Sequence, residues 1–311
     1  MNVATLSGSA VTPNFVSMVR AELFKLVRQR VVWITGIVIA VLYIPDALAE
    51  IFVINAIKNI AQNNPFGGPL PDGYIAHQLM EALLSDVRGL IGIFLMIITV
   101  SAIALEYQQG TIRILLARGV GRLRLLGSKL TAIGIVGLAM LAILLVLAVI
   151  MGIIDANISN GNLSDLQNLP GYFGTDTAGY LCTVLISMAV TVLLAAAFAV
   201  LGRSLAFGLS FALSWFFVES IISTILQGIS LASGNKVWGD ITQYFLGTNL
   251  TNMPAAYIPS RGPDVSNLLS RGVSALSSSV DATHTTIVTL IYAVVFLGVA
   301  GVLTWKRDVL Q

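Results

Sequence analysis

Two acidic residues and one basic segment are where this sequence could do chemistry. Glu219 is the only ionisable residue well inside an apolar run, two positions past the centre of residues 205–229. Gly208, Ala212, Trp215 and Ser223 share its face at helical spacing. A carboxyl near mid-bilayer costs on the order of 2.5–3.5 kcal/mol on insertion scales, so something must offset it. Three readings stay open: a residue lining a translocation path, a protonated hydrogen-bonding group, or part of a shallower polar structure. Glu106 stands at the edge of another apolar run and opens EYQQGTIRILLARGVGRLRLLGSK, residues 106–129. That segment holds five of the seventeen Lys and Arg residues. Other reactive types are sparse. His77 and His284 lie far apart, which leaves little for metal chemistry, and the single Cys182 excludes an intrachain disulfide framework. Asp46 and Glu50 read as marks of the outer end of the first apolar run, and Arg203 as a simple positive anchor.

The elements that must position these residues follow from composition. The 311 residues are 56% hydrophobic and only 10% charged, whereas soluble domains carry roughly 25% charged residues. Such a chain cannot cover a water-facing surface, and its solvent is lipid. A membrane helix needs about 20 mostly apolar residues. Six runs qualify, at residues 31–49, 89–105, 130–154, 178–201, 205–229 and 287–304. The fold class expected is therefore an all-α integral membrane protein with six transmembrane helices and both termini on one side.

The Lys and Arg distribution chooses that side. Twelve of the seventeen fall with the termini, the 106–129 segment and Arg203, and five fall in the longer loops opposite. The termini and the basic segment are expected in the cytoplasm. Sequons at Asn157, Asn162 and Asn249 fall on the outside loops, which agrees with that topology. A secretory signal in the first run, ending near Pro45 and Ala47-Leu48-Ala49, is opposed by the 30 residues that precede the run.

Residues 1–12 read as a flexible tail before a single six-span transmembrane domain, 13–311. Pro13 suits the first turn of a helix through Arg30. In it Val16, Val19, Leu23, Leu26 and Val27 recur at helical spacing, with Arg20, Glu22, Lys25 and Arg28 between them. This amphipathic elbow helix is expected to lie along the inner headgroups before span one. Residues 50–88 and 230–286 read as long outside loops. The first carries a short helix near 75–85, and the second carries short helices that cap or dip into the membrane. Gly202-Arg203-Ser204 joins spans four and five as a tight antiparallel hairpin. Gly134, Gly137, Gly298 and Gly301 are expected to allow close helix approach.

In the 106–129 segment Ile112, Leu115, Leu116, Leu123, Leu125 and Leu126 interleave with Arg113, Arg118, Arg122 and Arg124. A basic inside loop is the default for a membrane protein, but a solvated loop does not need those apolar residues. They predict one or two short amphipathic helices that lie on anionic lipid or dock in a partner's groove. Glu106 would pair with a nearby Arg or with a partner's positive group.

These residues carry a resemblance. Glu106-Tyr-Gln-Gln-Gly110-Thr111-Ile-Arg113-Ile-Leu115-Leu116, then Arg122 and Gly127-Ser-Lys129-Leu130, resembles the signature of permease subunits of ATP-binding-cassette transporters of the type-2 exporter class. Ala21-Glu22-Leu23-Phe24-Lys25-Leu26 is similar to that family's opening helix, and Trp305-Lys306-Arg307-Asp308 to its usual ending. Gly119-Val120-Gly121 departs from the Pro-Val-Ser type of turn more usual there. The resemblance implies a cytoplasmic coupling helix between spans two and three, seated on a separate ATPase. It assigns ATPase coupling to Glu22, Lys25, Glu106, Gly110, Thr111, Arg113, Arg118, Arg122 and Lys129. It also implies a second permease copy, in a homo- or heterodimer, and a place in a prokaryotic cytoplasmic membrane. Membrane lipid is an expected partner, and nucleic acid is not.

A phosphate-binding loop requires G-x-x-x-x-G-K-[S/T]. The nearest string, Gly121 to Lys129, has the wrong spacing and no hydroxyl after the lysine. No cofactor is expected on this chain, with ATP and Mg on the partner ATPase, and the chain itself is not expected to be an enzyme. Two other classes compete. An ion-coupled secondary transporter or channel would use Glu219, but such proteins want several intramembrane charges. A membrane-embedded enzyme would need clustered Asp, His or Ser at the membrane edge. Trp215, Glu219 and Ser223 are the translocation-path candidates.

Overall fold

The computed structural model describes residues 14–62, 74–111, 121–160, 169–258 and 281–306. Among them the secondary structure is helical throughout, with no strand. The elements are α1 (Phe15–Arg28), α2 (Arg30–Gln62), α3 (Tyr74–Gln108), α4 (Arg122–Asn160), α5 (Phe173–Gly202), α6 (Leu205–Ser233), α7 (Val237–Ile241), a 3-10 turn (Thr242–Tyr244), α8 (Leu246–Tyr257) and α9 (Ala282–Lys306). Six of these, α2 to α6 and α9, are long and apolar enough to cross a membrane.

The helices run farther than the hydropathy runs. At 1.5 Å per residue, the 39 residues of α4 span about 58 Å, well beyond a hydrocarbon core of about 30 Å. The segment 50–88, expected as a loop, is helical on both sides of residues 63–73, which lie outside the described residues. The short helix expected near 75–85 is the first part of α3 itself. Ile51, Ile54, Leu79, Leu83, Leu84 and Val87 keep helical spacing and are buried together. Asn55, Lys58, Glu81, Asp86 and Arg88 dilute the average there, so hydropathy ends the span before the helix ends.

Helices α3 and α5 are central and mostly buried, while α6 and α9 expose most of their surface. One core joins Leu26 of α1 to α2, α3, α4 and α5 around Tyr43, Phe94, Ile133 and Leu144. A second joins the later part of α3 to α5, α6, α8 and α9 around Leu194, Leu246 and Met253. Small residues let helices approach at two places. A Cβ on Gly137 would meet the Leu95 side chain at 2.7 Å, and one on Gly208 would meet Val100 Cγ1 at 2.6 Å and the Ala199 backbone Cα at 3.3 Å. Gly134 and Gly298, expected at close approaches, have nothing within 4 Å, and Gly301 makes only an ordinary contact.

The hairpin between α5 and α6 turns on Arg203, whose φ of 49° places it in the left-handed region, with its N–H donating to Ala199 O. Its guanidinium lies over the Tyr107 ring, 5.9 Å from the centroid.

Candidate functional site

Helix α1 ends where Gln29 turns extended, and α2 begins at the next residue. The Trp33 indole N–H donates to Val27 O at 2.7 Å, meeting one of the carbonyls that a helix end leaves without a partner. The face expected to be apolar divides. Leu26 is buried and Val19 and Leu23 pack on the core, whereas Val16 and Val27 are exposed. The inward stripe is Met18, Glu22, Lys25 and Leu26, which faces α4 and puts two charges against the bundle.

Those charges meet two others. Lys129 Nζ lies 2.9 Å from Glu22 Oε2 and 2.7 Å from Glu106 Oε1. Lys25 pairs with Glu106 and stands 3.6 Å from Glu22. Lys129 also donates to Ala102 O, one turn before Glu106, at 3.5 Å. The side chains of Glu106 and Lys129 are only 5% and 4% exposed. Two acids and two bases thus form a neutral, buried cluster that fastens α1, the end of α3 and the start of α4 to one another. Among the described residues the ion-pair partners of Glu106 are Lys25 and Lys129, where a nearby Arg or a partner's positive group was expected.

Lys25 is the one member with a substantial opening to solvent. Burial, and then the neighbouring Lys129 cation, lower its pKa from 10.5 to about 8, against the opposing pull of Glu22. The sign follows from linkage. With the folded value below the unfolded one, charging Lys25 costs the folded state at low pH, and that cost is relieved between pH 8 and 10.5. Wild type should therefore gain melting temperature relative to Lys25→Met as the pH rises through that window. Parallel melting curves of the two proteins would not diverge if Lys25 titrated normally.

The other expected coupling residues scatter around this cluster. Gly110 takes a φ of 68° and ends α3, its N–H donating to Tyr107 O at 3.3 Å. Glycine holds that left-handed position at little cost. Thr111 Oγ1 donates to Glu106 O at 3.4 Å, satisfying another carbonyl of the same helix end. Arg122, at the start of α4, donates to Trp305 O at 3.0 Å and so meets the carboxyl end of α9, where a cation is favoured. Arg113 and Arg118, and the coupling helix itself, fall on residues 112–120, outside the described residues.

Glu219 is the fifteenth of the 29 residues of α6, at mid-helix. Its Oε1 accepts the Leu246 N–H at 3.0 Å and its Oε2 accepts the Gly247 N–H at 2.6 Å, so both oxygens are engaged by the first turn of α8. Trp215, half-buried one turn earlier, packs against Phe198 of α5 and Phe296 of α9. Ser223 accepts from Gln227 Nε2 at 3.2 Å.

At the far end of the bundle lie contacts that sequence reasoning did not anticipate. Buried His77 pairs with buried Asp176 at 3.1 Å, and Asn55 donates to Asp155 at 2.7 Å. No group of three or more His, Cys, Asp or Glu among the described residues is arranged to hold a metal ion.

The comparisons agree with the loop signature. A family model described as ABC-2 family transporter protein matches residues 18–219, about two-thirds of the chain, from the α1 stripe through the whole ion cluster to Glu219. No curated protein matches the chain. With six apolar helices long enough to span a bilayer, the protein is a multi-pass membrane protein and an ABC transporter permease: it belongs to the ABC-2 transporter family.

Proposed function

We propose that this chain is the membrane-spanning subunit of an ATP-driven exporter, working with a second permease copy and with separate cytoplasmic ATPase subunits that bind ATP and Mg. The observation that carries this reading is the Glu22–Lys25–Glu106–Lys129 cluster. It binds α1 to the end of α3 and the start of α4, the two helix ends that flank the basic segment 112–120. Force applied to that segment by an ATPase would pass into α3 and α4, and through the single residue Gln29 into α2, instead of being lost in a loose α1. An ATP-driven change of state requires only that the ATPases bind one arrangement of these helices better than the other. The α1 end of the bundle is then the cytoplasmic end, in agreement with the excess of Lys and Arg there.

The path is proposed to run along α6, between two copies. This helix is mostly exposed, yet it carries exposed Ser210, Ser214, Ser220 and Thr224 among Phe217, Val218 and Ile221. Hydroxyls on an outward face suit contact with a polar path better than contact with lipid alone. Glu219, Trp215 and Ser223 lie on the same helix. Family membership does not favour an ion-coupled carrier.

Affinity purification from the native membrane in a mild detergent tests the proposal. A cytoplasmic ATPase should accompany the wild type in near-equal amount and be lost from an Arg113→Glu, Arg118→Glu double variant. These residues are preferable to Glu106, whose substitution would also disturb the ion cluster. Recovery of intact permease without an ATPase would sink the proposal.

A further inference from the structure

Toward the other end of α2 and α3 lies an acidic group without a counter-charge. Tyr43, Asp46 and Glu50 follow at spacings of three and four residues and so share one stripe of α2. Ala47 and Ile51 beside that stripe are buried in one core with Leu83, Leu84 and Val87 of α3, which brings Asp86 up to it. The charges that act on Asp86 are those of Asp46 and Glu50, and those that act on Tyr43 are Asp86 and Asp46. Tyr43 is wholly buried, at 0% exposure, and its hydroxyl has no hydrogen-bond partner. The buried Oδ2 of Asp86 has none either. Buried polar atoms of this kind are ordinarily satisfied, and each one left over calls for a partner.

Among the described residues no Lys, Arg or His pairs with any of these three carboxylates. Arg88, two residues beyond Asp86, donates instead to Leu250 O at 2.6 Å, a carbonyl that Pro254 leaves without its helical donor. Residues 63–73, between α2 and α3, contain no Lys or Arg. Carboxylates that share a site disfavour one another's charge, so three together without a cation are costly. They are not gathered tightly enough to hold a metal ion. A cation that brings its own N–H donors fits better, because it reaches separated acceptors through charge-assisted hydrogen bonds. An ammonium group carries three such donors.

Depth and surroundings indicate what the ammonium is attached to. Asp86 is twenty residues from Glu106 along α3, and Glu50 twenty residues from Arg30 along α2. At 1.5 Å per residue both stand about 30 Å from the end of the bundle that holds the ion cluster, level with the opposite headgroups. Asp46 is exposed, as are Leu42, Leu48, Phe52 and Val53 around it, so the group opens sideways onto an apolar flank of α2. An amphiphile lying along that flank would set its polar end against the carboxylates and its chain against these residues.

We infer that Tyr43, Asp46, Glu50 and Asp86 form a site for the ammonium group of an amphiphile, either a lipid with a primary-amine headgroup or a free cationic amphiphile, bound from the membrane at headgroup level. That this level belongs to the outer leaflet rests on the orientation given above; the binding itself does not. It is measured without any ATPase, so its failure leaves the permease reading untouched.

The test is titration of the purified full-length protein with phosphatidylethanolamine and with phosphatidylcholine of the same chains, bound lipid being counted by native mass spectrometry. The two lipids share the phosphate and differ in the ammonium N–H groups. Wild type should bind phosphatidylethanolamine about tenfold or more tightly than phosphatidylcholine, the worth of one or two hydrogen bonds between charged groups. Asp46→Asn with Asp86→Asn should remove that preference, and Tyr43→Phe should reduce it. Should the double variant not fold, Asp46→Asn alone, at an exposed position, should still weaken the preference. Dodecylamine, which has the ammonium but no phosphate, separates the two sources. Its competition with the lipid assigns the site to amine amphiphiles in general, and its failure to compete assigns it to the lipid headgroup. No preference between the two lipids in wild type, or one that survives in the variants, overturns the proposal. So does a preference that emerges only after Arg261 and Arg271 are replaced, because the site would then be filled by this chain.

Discussion

Lys129→Met is expected to destabilise the protein by about 3–5 kcal/mol, the usual cost of removing one partner from a buried ion pair. Lys129 is the only member of the cluster that touches both carboxylates closely, at 2.9 and 2.7 Å. Without it Glu22 and Glu106 face one another with only the half-exposed Lys25 between them. The cost is therefore that of leaving charge buried, and neutralising that charge should recover much of it. Glu106→Gln with Lys129→Met should lose clearly less than the sum of the two single losses, because the residues share one network. Thermal unfolding in detergent, followed by helical circular dichroism or by aggregation, measures all three. If Lys129→Met melted with the wild type, the cluster would be ornamental, and the transmission of force through it would lose its physical basis.

Gly208→Val is expected to be the most damaging substitution of a small residue in the bundle. Gly208 is buried where α6 crosses α5 and α3. The Cβ of even an alanine would sit 2.6 Å from Val100 Cγ1 and 3.3 Å from the Ala199 backbone. The valine contact can be relieved by a rotamer change, but the Ala199 contact requires the helices to separate. Overpacking of this kind costs typically about 1–3 kcal/mol for Gly208→Ala, and the branched side chain costs more. Val100→Ala should rescue part of the alanine loss and little of the valine loss. A Gly208→Ala protein with wild-type yield and melting temperature would show that α6 is held more loosely than its position suggests. Movement along this crossing would then become the first place to look for the change between transport states.

How much of this is legible in the sequence depends on where the signal lies. The six spans are readable because apolar side chains dominate any window of membrane length. The far ends of α2 and α3 are not, because His77, Glu81, Asp86 and Arg88 lower the average while leaving the buried stripe intact. The family resemblance singles out Glu22, Lys25, Glu106 and Lys129 one by one, yet nothing local pairs residues so far apart in the chain. Pairing also gives them a second meaning, as charges that meet one another within this chain. The cost of burying Glu219 is legible, but its partners are not. They are backbone N–H groups, which any residue except proline supplies. Gly247 and Pro254 nonetheless carry a usable signal, because glycine permits a close backbone approach and proline leaves a carbonyl one turn earlier without its donor.

The ion cluster also bears on how the third span finds its register. Between apolar helices in lipid no hydrophobic force favours one alignment over another, and Leu exchanges for Ile at little cost when one helix slides along the next. α4 is the longest helix of the bundle and is apolar almost from end to end. Sliding it by one turn would carry Lys129 about 5.4 Å along the axis, and slipping it by one residue would rotate the side chain by about 100°. Either displacement leaves Glu22 and Glu106 with Lys25 alone. Lys129 and Arg122 near one end and Asp155 near the other therefore index a helix of 39 residues against its neighbours, as notches fix the position of a bolt.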